Sequence, residues 1–296
     1  PYGRSVTAYA DAFARNLGLL TADQQERLRT SRVAIAGCGG GGGGYAAALA
    51  RAGVGRFTLA DPDVFEAVNL NRQYGATLRT LGRNKAEVMA ETVLAIVPDA
   101  EVRVMPMSID DETIERFLEG ADIVCDALDF FAPDARRLVF RAARERGIPV
   151  ITGGPLMWSA SWMIWAPDSP SFEHFCGFRD GMSRDEILTR FAVAAAPGGT
   201  HLRYTNTESI DFDTDRAPSL GPVCTMLHGI VASEVVNLLT GVRPVRPVPH
   251  YAQFDVRTLR LKQGKARWGN AGPVQRIKIA YVTRRLAQAA RERKLG

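Results

Sequence analysis

Brief apolar runs alternate with stretches of helical spacing along the first half of the chain. Residues 33–36, 57–60, 102–105, 123–125 and 150–152 are short and mostly apolar, as the strands of a buried sheet are. Between them, residues 85–96, 111–118 and 134–146 repeat their apolar positions at helical intervals, and residues 8–30 do so ahead of the first strand. Strand, helix and strand in repeated succession predict an α/β fold with a doubly wound, mostly parallel, Rossmann-like sheet and helices on both faces. The segment 218–241 predicts a long apolar helix, and 251–263 predicts a hairpin that adds an antiparallel C-terminal extension. The chain divides into N-terminal helices over 1–30, a nucleotide-binding half over 31–152, a substrate and crossover region over 153–262, and a basic tail over 263–296.

Between the first strand and its helix stand six consecutive glycines, Gly39 to Gly44, preceded by Gly37. A flexible linker would be flanked by small polar residues, whereas these glycines join an apolar strand to the alanine-rich YAAALARA. Gly37, Gly39 and Gly42 satisfy the spacing GxGxxG, and Asp61 ends the next strand nineteen residues after Gly42, placed to accept hydrogen bonds from a ribose. Backbone amides at such a bend approach a phosphate at the positive end of a helix. Nucleotide recognition accounts for some of the run, while Gly41, Gly43 and Gly44 together have no account from sequence. Asn69, Arg72 and Lys85 follow the second strand, and Asp126 and Asp129 follow or end the fourth, all toward the carboxyl edge where such sheets bind ligands. Lys and Arg there suit a triphosphate, and an Asp suits its magnesium ion.

The formal charge of +5 is unevenly spread: residues 271–296 hold seven Lys or Arg and one Glu, a net +6, which leaves about −1 for the remainder. That disfavours a broad nucleic-acid surface on the body, with transfer RNA the one nucleic acid retained as a partner; the basic tail reads first as a solvated amphipathic helix. Four dispersed cysteines without a CxxC pair read as reduced thiols, and no unbroken apolar run approaches the roughly 18 residues of a membrane span, so a soluble cytoplasmic protein without a membrane partner is expected.

The segments VAIAGCGG, AGVGRFTLADPDVFEAVNLNRQ, LGRNKAE and IVCDALDF, in that order and spacing, resemble the adenylation domain of the MoeB/ThiF family, in the superfamily of ubiquitin-activating enzymes. The resemblance implies that ATP binds, that a carboxylate of a peptide or small protein attacks the α-phosphorus, and that an acyl adenylate forms with release of pyrophosphate. By position it assigns Gly37, Gly39, Gly40 and Gly42 to the phosphates, Asp61 to the ribose, and Asp63 and Gln73 to further nucleotide contacts. Asn69, Arg72 and Lys85 would stabilise charge moving toward pyrophosphate, and Asp129 would hold magnesium. Arg15, in FARNLG, matches an arginine that reaches the partner subunit's nucleotide, so a homodimer is implied. The usual Asn after the magnesium-binding Asp is Phe130 here. The two CxxC pairs of a zinc-holding member are missing, so zinc is not expected. Cys176, with His174 two residues before it on an expected strand, is the leading candidate for a later thiol step. Residues 154–165, rich in Trp and Met, read either as a strand buried on both faces or as a substrate wall, and residues 168–221 read as a mobile crossover loop. A scaffold subunit that binds a nucleotide or NAD without adenylation is the alternative; the acidic run 211–216 reads as a solvated loop.

Overall fold

The computed structural model describes residues 9–212 and 214–295, with the side chains of 208 and 293–295 left aside. The chain forms two units, one running to Ala127 and including His228–Val245, the other comprising Leu128–Leu227 and the residues from Arg246.

In the first unit, α1 (Tyr9–Ala12) and a 3-10 turn (Ala14–Asn16) precede α2 (Ala22–Thr30), which starts at a capping box: the Thr21 hydroxyl accepts from Gln24 N and the Gln24 side chain accepts from Thr21 N. The first eight residues of the expected N-terminal helical stretch lie outside the described residues. There follow β1 (Arg32–Ala36), α3 (Gly42–Ala52), β2 (Arg56–Ala60), α4 (Lys85–Ile96), β3 (Glu101–Met105), α5 (Ile114–Leu118) and β4 (Ile123–Asp126). The four strands are parallel in the order β3-β2-β1-β4, with Val33 opposite Phe57 on one side and Ile123 on the other. Every residue of β1 and β4 is buried, which is why these strands are short, continuous and apolar in sequence. α3 stops where Gly53, at φ +92°, turns left-handed, and α4 starts where the Asn84 side chain accepts from Glu87 N.

The second unit contains α6 (Pro133–Glu145), β5 (Val150–Leu156), β6 (Ser159–Trp165), α7 (Phe172–Cys176), α8 (Arg184–Ala195), the start of α9 (Gly221–Thr240), β7 (His250–Asp255), β8 (Arg260–Lys265) and α10 (Pro273–Leu295). Its strands are antiparallel in the order β5-β6-β7-β8, so the antiparallel part equals the parallel part in strand number and begins earlier than the hairpin expected at 251–263. Met163, Ile164 and Trp165 of β6 are buried, and Trp165, Phe140, Phe172 and Phe175 share one aromatic cluster in which Phe140 stacks on Phe172 at 4.2 Å. Core packing thus accounts for the β6 half of the Trp-rich segment, while Trp158 is exposed and Trp162 half-buried.

Three segments stand out. Residues 168–221 contain ordered helices: Ser171 caps α7, and Ser183 with Glu186 forms a capping box at α8. The basic tail is α10, which packs on α8 and buries Gln275 and Ala289 while its Arg and Lys residues face outward in the main. At 20 residues α9 is long and apolar enough to cross a membrane; the sequence hides this because His228, Ser233, Glu234 and Asn237 interrupt the run. Its buried Val223, Leu227, Val231 and Val235 make it a core helix.

His201 supplies a pH signature. Burial pushes its imidazole from the ordinary 6.5 down to about 4, with Nδ1 accepting from Gln253 Nε2 at 3.0 Å. Between those values the unfolded chain binds a proton that the folded chain does not. The stabilisation is therefore complete above pH 6.5 and is lost as pH falls toward 4, by about 3 kcal/mol in all. Urea midpoints measured from pH 7 to pH 4.5 should fall less steeply in His201→Gln; His228, also lowered by burial, contributes with the same sign to both proteins.

Candidate nucleotide site

In the first unit the loop after β1 is held from three directions. Gly37, at φ +89°, donates its N–H to Ala60 O at 2.8 Å, which fastens the end of β1 to the end of β2. Asp61, buried, accepts from Cys38 N at 2.6 Å through Oδ2 and from Asp63 N at 2.9 Å through Oδ1. Burial raises its pKa, while those two amides and Lys85 oppose the rise. Asp61, expected on the ribose alone, is thus also a brace for the glycine loop; its remaining lone pairs are free to accept from a ligand. The third hold comes from α9, where His228 Nε2 donates to Gly40 O at 2.7 Å.

Close packing explains two of the glycines that phosphate binding does not, and His228 explains one of them, Gly44. A Cβ on Gly44 would overlap the His228 ring, one on Gly43 would stand 2.9 Å from Cys38 O, and one on Gly42 would overlap Gly37 O while standing 2.8 Å from Ile35 Cγ2. Gly42, Gly43 and Gly44 are buried and admit close packing at the start of α3. Gly39 and Gly41 are less crowded. Gly41, the N-cap of α3, offers no side-chain cap, and apart from Gly43 N, which donates to Gly39 O at 3.4 Å, the first amides of the helix are left for an incoming acceptor.

Around this loop the first unit sets several polar groups. Lys85, first residue of α4, is buried with Nζ 2.9 Å from Asp63 Oδ2, and Asp63 is itself exposed. Gln73 is buried beside Gly39, and its Oε1 has no hydrogen-bond partner. Asn69 accepts from Glu66 N at 2.9 Å, which shapes the 3-10 turn Ala67–Asn69. Arg72 Nη1 donates to Val68 O at 3.0 Å and to Asn71 Oδ1 at 2.9 Å, a half-exposed arrangement that water or phosphate could replace. Asp126 is buried at the end of β4. Arg15 is exposed and makes no hydrogen bond or ion pair with any other described residue.

Asp129 belongs to the second unit. It is exposed, and its Oδ1 accepts from Phe131 N at 2.8 Å. The N-cap of α6 is Ala132, followed by Pro133, so Asp129 shapes the turn ahead of the helix and does not cap it. Phe130 packs on Phe191 with centroids 5.6 Å apart, which fixes the turn from below. Among the described residues no three His, Cys, Asp or Glu side chains gather as a metal cage.

Cys176 differs from its expected setting. It lies on helix α7, not on a strand, fully buried, and burial with the nearby Glu173 carboxylate pushes its thiol well above the ordinary value. His174 is exposed on the same short helix. A buried thiol held protonated in this way is a poor nucleophile. His228, which braces the loop, is the side chain that sequence reasoning missed; its one signal is an imidazole in the first, apolar half of α9.

Comparison with known proteins gives these positions a context. A model of the ThiF family matches residues 13–270. The chain is 38% identical over 141 residues to tRNA threonylcarbamoyladenosine dehydratase of Bacillus subtilis (strain 168), covering 47% of this chain and 55% of that protein. It is 27% identical over 229 residues to the probable adenylyltransferase/sulfurtransferase MoeZ of Mycobacterium tuberculosis (strain CDC 1551 / Oshkosh), covering 75% and 51%. The chain thus spans about half the length of these two relatives. Against the sulfur carrier protein ThiS adenylyltransferase of Escherichia coli (strain K12) it is 25% identical over 255 residues, covering 86% and 90%. Crystal structures of PaaA, at TM-score 0.65, 24% identity and coverage of 90% and 76%, and of Escherichia coli MccB with ATP, at 0.62, 20%, 83% and 66%, share the fold. With the match running from residue 13 to residue 270, through both units, the chain belongs to the ThiF family.

Proposed function

We propose that this protein is an ATP-dependent adenylyltransferase that activates the carboxylate of a peptide or small carrier protein. A carboxylate oxygen forms a bond to the α-phosphorus of ATP, the bond from that phosphorus to the bridging oxygen breaks, and pyrophosphate leaves with the electron pair. The observation that carries this reading is the uncapped start of α3 inside a loop braced by Asp61 and His228, in a chain of the ThiF family. A rigid loop with free amides is what a polyanion needs, because its donors need not reorganise on binding.

The residues present fit the nucleotide. Backbone at Gly37, Gly39, Gly40 and Gly42 would take phosphate oxygens, Asp61 the ribose, and the unpaired Gln73 Oε1 a donor of the nucleotide. Lys85 would exchange the exposed Asp63 for phosphate, and Asn69 and Arg72 would share the charge that develops on the leaving pyrophosphate. Magnesium prefers a few carboxylates together with phosphate oxygens and water, so Asp129 suffices as a protein ligand. The free guanidinium of Arg15 suits reach into a second copy, which makes a homodimer part of the proposal.

For the acceptor, several relatives are named for peptides or carrier proteins: ThiS for the Escherichia coli adenylyltransferase, SAMP for an activating enzyme of Haloferax volcanii, and MccA in complexes of MccB. A transfer-RNA acceptor is the second reading, favoured by the 38% identity with the dehydratase. Magnesium-dependent exchange of labelled pyrophosphate into ATP, run with candidate peptides, carrier proteins and transfer RNA in turn, is expected to respond to a peptide or carrier protein. Tight NAD binding by calorimetry, with none for Mg·ATP, would overturn the proposal in favour of a non-adenylating scaffold.

A further inference from the structure

The second unit contains an apolar pocket of about 150 Å³ that the reaction outlined above leaves unused. Phe130, Leu156, Ala192, Phe212, Val282 and Leu286 are among its walls. Three features give it an occupant. Its volume is that of a dry cavity able to hold one benzene ring. Its basic lining residues are Lys278 and Arg285, beside a His201 that burial keeps neutral, and no Asp or Glu lines it, so a neighbouring negative charge on the ligand is favoured. Phe130 is the residue after Asp129, so one wall is joined directly to the turn that carries the candidate magnesium ligand.

The side built by α10 lies beyond the span that the family match covers. The family match stops at residue 270, whereas Lys278, Tyr281, Val282, Arg285 and Leu286 all come from the helix that begins at Pro273. Lys278 is committed to the wall, donating to Gln275 Oε1 at 3.0 Å and to Pro197 O at 2.5 Å. Arg285 is exposed and spends only Nε, on Thr207 Oγ1 at 3.4 Å, which leaves its other donors for a ligand at the mouth.

We propose that this pocket receives an apolar side chain of about benzyl size from an acidic peptide acceptor, with a carboxylate of that peptide meeting Arg285, and so selects the substrate. The selection role rests on the adenylation reading. The pocket itself does not, since all of its lining belongs to the second unit.

The test is calorimetric, on the full chain without nucleotide, with three probes: acetyl-Glu-Phe, acetyl-Glu-Gly, which lacks the ring, and acetyl-Gln-Phe amide, which lacks the charge. Acetyl-Glu-Phe should bind most tightly. Ala192→Phe, which fills the pocket from α8, should weaken it by about tenfold or more. Arg285→Gln, at an exposed position where folding is not at risk, should abolish the preference for acetyl-Glu-Phe over acetyl-Gln-Phe amide while leaving the preference for the ring. Equal affinity for the probes with and without the ring, or equal affinity of wild type and both variants, overturns the proposal. Mg·ATP is titrated into the same samples: its failure to bind wild type would count against adenylation, whereas normal ATP binding with no discrimination among the peptides would sink the pocket alone.

Discussion

Alanine at Gly42 is expected to lower the stability of the chain by more than about 3 kcal/mol, the range reached when a buried site can neither accommodate an added atom nor move away from it. The new Cβ would overlap the Gly37 carbonyl oxygen, and that peptide cannot retreat, because Gly37 N is bonded to Ala60 O and Cys38 N to Asp61. Gly44→Ala meets a different obstacle, the His228 ring, which is a side chain and can be removed. Each of Gly44→Ala and His228→Ala alone should destabilise, by about 2–3 kcal/mol, the first by overpacking and the second by leaving a cavity and an unpaired Gly40 carbonyl. The double variant should cost clearly less than their sum, since the added methyl enters the space the ring vacates. Gly41→Ala, facing only the end of Tyr45 at 3.0 Å and Ala127 at 3.4 Å, should fall within about 1 kcal/mol of wild type. Urea unfolding of the five variants decides the matter. Strict additivity at positions 44 and 228 would show that the histidine does not impose the glycine.

This pairing also marks how far the sequence alone could be read. β1, β2, β3 and β4 were legible to within a residue or so; β1 and β4, buried along their whole length, show as nearly unbroken apolar runs, while β3, mostly half-buried, shows as Val102, Val104 and Met105 around Arg103. α4 and α6 followed from their periodicity; α6 begins at Pro133, one residue before the expected start. The loop glycines were legible as a nucleotide cradle but not as packing residues, because the side chain that demands Gly44 lies 188 positions from Gly40. The same distance effect hid the walls of the apolar pocket, which join β5, α8 and α10. α7 and α8 were missed for a local reason: their Ser caps sit among Gly, Pro and charged residues that read as loop, and α8 is buried chiefly through Leu188, Phe191, Val193 and Ala194. Cys176 was set on a strand because FEHFC alternates over too few residues to separate a strand from a single helical turn.

The sharpest division between chemistry and fold lies at Lys85. Lys85→Ala should reduce pyrophosphate exchange by about 10²–10³-fold, the loss typical when one fixed donor to a developing charge is removed. Lys85 is buried and paired with Asp63, so a purely structural role would be a role in that ion pair, and Asp63→Ala would then impair exchange as much as Lys85→Ala does. The proposed role predicts otherwise. Asp63 is exposed and competes with phosphate for the ammonium, so removing it should leave exchange within about tenfold of wild type without raising KM for ATP. Asp129→Ala, on an exposed turn that does not cap α6, should lose exchange as deeply as Lys85→Ala with a melting temperature close to that of wild type. Raising magnesium should restore little of it, because the missing carboxylate is the protein's own hold on the ion. If Asp63→Ala and Lys85→Ala fail together, the cation serves the fold of the loop; if only Lys85 and Asp129 fail, the charge on the nucleotide is what they hold in common.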